Sequence, residues 1–118
     1  MAFNLPPIET RTSVIAIVDL LSSAESQLEY EQDVAYVFIP SEIIELYCTD
    51  QYHPKSQAFV DAFTETEHKL LARLFGDAFR AGDAIEGEEV AVVSDALKMP
   101  DWRRMIETAK IVHQQINH

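Results

Sequence analysis

Apolar side chains recur along most of this chain at the three-and-four spacing that builds one face of a helix. Val14, Ile17, Val18, Leu21, Ala24 and Leu28 form the first such face, and Thr10 or Thr12 can cap the helix that carries it. Asp19, Glu25 and Glu29 fall off the stripe, toward water. Ahead of it, residues 1–9 hold Pro6 and Pro7 and read as an extended arm lying on the domain. The helical pattern breaks over 29–33, and the run of apolar and aromatic residues at 34–39 has no period. Such a run fits a buried strand or a helix ended by Pro40.

Beyond Ser41, Ile43, Ile44, Leu46 and Tyr47 alternate with Glu42 and Glu45, which predicts a short helix over 42–48 stopping near Thr49 and Asp50. Tyr52-His53-Pro54 reads as a turn, because the residue before a proline is pushed out of the helical region. Ser56 can cap a helix over 57–63. The strongest local signal is Thr64-Glu65-Thr66-Glu67, a capping box in which hydroxyl and carboxylate satisfy each other's backbone donors. The helix it starts carries Leu70, Leu71, Leu74, Phe75, Ala78 and Phe79 on one side, and Gly82 is read as its end, followed by an acidic loop over 81–87. Val90, Val93 and Leu97 have helical spacing, although 89–93 also suits an edge strand. Pro100 fits the first turn of a last helix with Trp102, Met105, Ile106, Ala109, Val112 and Ile116 on one stripe.

The elements add up to a mainly α fold: a single domain over 1–118 forming a compact bundle of about five helices, with room for one short β element at 34–39 or 89–93. Val18, Leu71, Leu74, Phe75, Phe79, Trp102 and Ile106 are expected to meet in its core. A 47% hydrophobic content over 118 residues suffices for that core without staples.

Charge changes the picture most. Twenty acidic side chains stand against nine basic ones, a net −11. No Lys or Arg lies between Arg11 and Lys55, where Asp19, Glu25, Glu29, Glu31, Asp33, Glu42, Glu45 and Asp50 are unopposed. Asp83, Glu86, Glu88, Glu89 and Asp95 form a second unopposed group. Phosphate contacts need clustered cations, so nucleic acid and anionic lipid are unsuited as partners, and a basic protein is favoured. The lone Cys48 fits a reducing compartment, and Met1 to Pro7 lacks the basic and apolar regions of a secretory signal. The expected location is therefore the cytoplasm.

Candidate chemistry is sparse. His113 and His118 are five apart, His53 precedes a proline, and His68 lies in the first turn of the capping-box helix, so no pair has zinc-ligand spacing. Residues 83–89 lack the alternating oxygen ligands of a calcium loop. Cys48 has no basic residue within six positions to activate it and reads as a small buried hydrophobe. There is no phosphate loop, nucleophile elbow or dinucleotide fingerprint. The expectation is a protein with no catalytic residues, no metal and no cofactor.

Tyr30, Tyr36, Tyr47 and Tyr52 are interleaved with the eight unopposed acids, as an interface for a cationic protein would be, where tyrosine anchors while carboxylates steer; Tyr36 and Tyr47 suit the core equally well. The candidate contact residues are Glu25, Glu29, Tyr30, Glu31, Asp33, Glu42, Glu45, Asp50 and Tyr52. The segment 36–40 with its short helix, then Phe63-Thr64-Glu65-Thr66-Glu67 opening a longer amphipathic helix, resembles small bacterial immunity-protein families of polymorphic-toxin loci. That resemblance, over roughly residues 34 to 80, implies an acidic, mostly helical cytosolic protein that neutralises a toxin domain by tight binding. The expected function is sequestration of a basic protein by an immunity protein or antitoxin. The alternatives are an acidic phage-type inhibitor imitating nucleic acid, and a small enzyme or ligand-binding domain without a recognisable motif.

Overall fold

The computed structural model describes residues 7–34 and 38–116. Its elements are α1 (Pro7–Leu21), α2 (Ala24–Asp33), α3 (Ile39–Glu45) running into a π-helical turn (Leu46–Gln51), α4 (Gln57–Ala62), α5 (Glu65–Gly87), α6 (Val93–Ala96) and α7 (Pro100–Ile116). Among the described residues there is no strand, and five helices have seven or more residues, so the fold is a mainly α bundle. α5 and α7 form the central pair. α1 packs on α7 and α4, while α3 and the π turn pack on α5.

The two longest amphipathic patterns behave as their spacing dictates. Trp102, Met105, Ile106, Ala109, Val112 and Ile116 of α7 are all buried, as are Leu71, Leu74, Ala78, Ala81 and Ile85 of α5. The capping box forms in full: the Glu67 N–H donates to Thr64 Oγ1 at 3.2 Å, and the Thr64 N–H donates to Glu67 Oε1 at 2.9 Å.

Several expectations are corrected. α1 starts at Pro7, ahead of Thr10 and Thr12, because a fixed φ and a missing N–H suit the first helical position. The expected arm over 1–9 is thus helical from residue 7, and 1–6 lie outside the described residues. The face traced from Val14 to Leu28 belongs to two helices. The Ser22 hydroxyl donates to Asp19 O at 2.7 Å, and Ser23 caps α2 by accepting from the Ser26 N–H at 3.1 Å. These local bonds compete with the helix ladder and break it. After the break the phase shifts, so Gln27 turns inward and Leu28 is exposed.

Of the run at 34–39, residues 35–37 lie outside the described residues. Ile39 begins α3, and Pro40 sits buried in its first turn instead of ending a helix. Val93 opens the short α6, so 89–93 is not a strand. Phe63 lies just beyond α4, which ends at Ala62.

Gly82 does not end α5, and 81–87 is helix, not loop. Here glycine serves close approach: a Cβ at Gly82 would meet Ile44 Cγ2 of α3 at 3.1 Å. The chain leaves the helix at Glu89, whose φ of 51° is left-handed. Phe79 is not a core residue, with 56% of its surface exposed, and Phe75 is only partly buried. At 100° per residue Phe79 sits roughly a third of a turn from the line through Leu71, Ala78 and Ile85.

Two polar hubs tie the bundle. Gln27 is fully buried: its Nε2 donates to Leu20 O at 3.3 Å and Leu21 O at 3.2 Å, and its Oε1 accepts from Trp102 Nε1 at 2.9 Å. It thereby satisfies the Leu21 carbonyl at the end of α1 and adds a second donor to Leu20 O, which also accepts from the Ser23 N–H. Arg11 donates bidentately to Glu67, both bonds 2.7 Å, and also to Ala62 O at 3.1 Å and Ile116 O at 2.8 Å. One guanidinium joins α1 to the start of α5 and the ends of α4 and α7.

Candidate functional site

α3 and its π turn form one wall of a groove of about 420 Å³ whose other wall is the C-terminal half of α5. The wide turn is closed by the Tyr52 N–H donating to Tyr47 O at 2.8 Å. It holds Tyr47 inward, where its hydroxyl donates to Leu71 O at 2.7 Å and burial pushes its pKa far upward. Cys48 and Thr49 then face the groove. Gly82 lets the two walls approach at Ile44, which makes the floor shallow and apolar.

Three exposed carboxylates line this groove: Glu45 from the first acidic stretch, Asp83 and Glu86 from the second. None has an ion-pair partner among the described residues. Beside them stands Phe79. It is the outer end of an aromatic series in which Phe75 lies 6.1 Å from Phe79, Tyr52 stacks on Phe75 at 4.7 Å, and the buried Phe59 meets Tyr52 edge-on at 5.5 Å. The ring is therefore supported from the core while its own face is open.

The candidate contact residues read from the sequence separate into groups. Glu25, Glu29 and Asp33 are exposed on α2, Asp50 is exposed on the π turn, and Glu42 is half-buried on α3. Glu45 alone of the nine lines the groove. Tyr30 packs against the core. The Glu31 carboxylate accepts from the Val93 N–H at 2.8 Å, capping α6 from a neighbouring helix. Tyr52 belongs to the aromatic series, and partial burial raises its pKa. Phe79, Asp83 and Glu86 were not among the nine, because Phe79 continues an apolar spacing and Gly82 reads as a stop. Following the three-and-four spacing on through Ala81 to Ile85 is the signal that reveals them.

Chemically the groove suits binding. Burial pushes the Cys48 thiol up to about 11, so it stays protonated near neutral pH, and the Nε2–H of His53 is engaged by Asp50 O at 2.8 Å. His68, near the start of α5, is half-buried against Phe59 and Phe63 and donates to Val60 O at 2.9 Å. Among the described residues no three His, Cys, Asp or Glu side chains group as metal ligands, and no helix is long and apolar enough to cross a membrane. Comparison with protein-family models, curated proteins and solved structures gives no match.

Proposed function

We propose that the protein is a binding protein, not a catalyst, that sequesters a basic protein partner in the manner of an immunity protein or antitoxin, with the α3–α5 groove at the centre of its contact surface. The observation that carries this reading is the exposed Phe79 set among the unpaired Glu45, Asp83 and Glu86. A supported aromatic ring is the kind of residue on which binding energy concentrates, and carboxylates around it complement Lys and Arg. The acids of α2 extend the negative field and steer the approach.

The test begins with capture from cell lysate by the wild type, Phe79→Ala and a Glu45→Lys/Asp83→Lys/Glu86→Lys triple variant. A basic protein retained only by the wild type is then studied by surface plasmon resonance. Charge reversal and salt should slow association, since the screening length falls from about 10 Å at 0.1 M to about 3 Å at 1 M, while Phe79→Ala should speed dissociation. An on-rate indifferent to both salt and charge reversal sinks the proposal.

A further inference from the structure

On an adjacent face of α5 the charge pattern inverts. Arg73, Gly76, Asp77 and Arg80 face Arg104, Glu107, Thr108 and Ile111 of α7 across a groove of about 550 Å³. Three of the chain's nine Lys and Arg side chains thus meet in one place on a molecule of net charge −11.

The acids of this groove are already engaged. The buried Asp77 accepts from the Thr108 hydroxyl at 2.6 Å and from Arg80 Nη1 at 3.2 Å, and Glu107 pairs with Lys110 at 3.2 Å. Arg73 and Arg104 have no ion-pair or hydrogen-bond partner among the described residues. Between them the floor is open, because a Cβ at Gly76 would meet nothing within 4 Å. Ile111, 42% exposed, supplies an apolar wall.

We propose that this groove is a binding site for a small phosphate monoester, whose head takes the guanidiniums of Arg73 and Arg104 and whose apolar body lies over Gly76 against Ile111. Two uncompensated guanidiniums match the charge of about −1.5 to −2 that a phosphate monoester carries near neutral pH, and their forks fit its oxygens. The seven-residue span from Arg73 to Arg80 is only about 10 Å long, room for one phosphate and a compact body. A nucleic-acid strand would have to cross the surrounding negative field. The site is separate from the acidic groove, so either can fail without the other.

Titration of the isotopically labelled protein with phenyl phosphate, followed by NMR, tests the assignment. Amide shifts should concentrate in 73–80 and 104–111. Arg73→Gln/Arg104→Gln should weaken binding by about tenfold or more, and the charge-matched Lys69→Gln/Lys98→Gln should not. Gly76→Leu, which keeps both arginines, should reduce phenyl phosphate to the affinity of inorganic phosphate. Benzoate binding as tightly as phenyl phosphate would overturn the phosphate class. Equal shifts from chloride at matched ionic strength, or shifts that survive loss of both arginines, would overturn the site.

Discussion

Replacing Arg11 by Met keeps an apolar stem of similar length and deletes the guanidinium that four short bonds hold in place. Breaking a fully buried pair costs about 3–5 kcal/mol, whereas an exposed pair is worth about 1 kcal/mol or less. Here the Glu67 side chain is 11% exposed and that of Arg11 is 28% exposed, so water reaches the vacated space and the loss should be about 2–3 kcal/mol. Glu67→Gln in the same background separates the ion pair from the carbonyl bonds, and urea unfolding followed by circular dichroism gives all four corners of the cycle. Acid adds a signed test. The Arg11 hydrogen bond holds the Glu67 carboxyl below its ordinary range, helped by the Thr64 N–H and opposed by burial. Because the folded state lowers this pKa, its stabilisation is complete above the unfolded value of about 4.3 and disappears as pH falls through the folded value. The cost of Arg11→Met should therefore shrink between neutral pH and pH 3. A coupling below about 0.5 kcal/mol at pH 7, or a cost that does not change with acid, would refute this account of the hub.

Gln27→Leu keeps the volume but leaves the Trp102 N–H and the Leu21 carbonyl without partners, while Leu20 O keeps the Ser23 N–H; at about 1–3 kcal/mol per orphaned group, a loss of at least 2 kcal/mol is expected in urea unfolding. Gly76 and Gly82 of α5 should respond unequally: Gly76→Ala enters open space and should stabilise by about 0.5–1 kcal/mol, while Gly82→Ala presses on Ile44 and should gain less or destabilise. Equal gains at both positions, read from thermal melts, would show that α3 does not approach α5 as closely as described.

The helices were legible wherever one signal repeats within a few residues. The capping box and the stripes of α5 and α7 are of that kind, because spacing alone places Leu74 and Trp102 inward. Elements whose reasons lie far away in sequence were not. Gly82 carries the composition of a helix stop, yet its partner is Ile44 on another helix. Gln27 looks like a surface residue until Trp102, 75 positions on, supplies the donor that makes its burial possible. The acidity of both stretches was plain, but which carboxylates share a surface depends on how α3 lies on α5. Glu31 and Tyr52 illustrate the converse: residue types that suit an interface are here engaged inside the fold.

Both hubs bind the first helices to the last one: Arg11 reaches a carbonyl 105 residues away, and Gln27 an indole 75 residues away. A ribosome adding about 5–20 residues per second needs several seconds to pass from α1 to α7. Throughout that interval Arg11 lacks its bond to the Ile116 carbonyl, the Gln27 amide oxygen lacks its indole donor, and the apolar face of α1 lacks its cover from α7. Local helices can form early, since their bonds are short-range, but latching them together waits for Trp102 and Ile116. A nascent chain stalled before α7 should thus be helical yet open to proteases and chaperones, and the decisive step of folding falls after synthesis of the last helix.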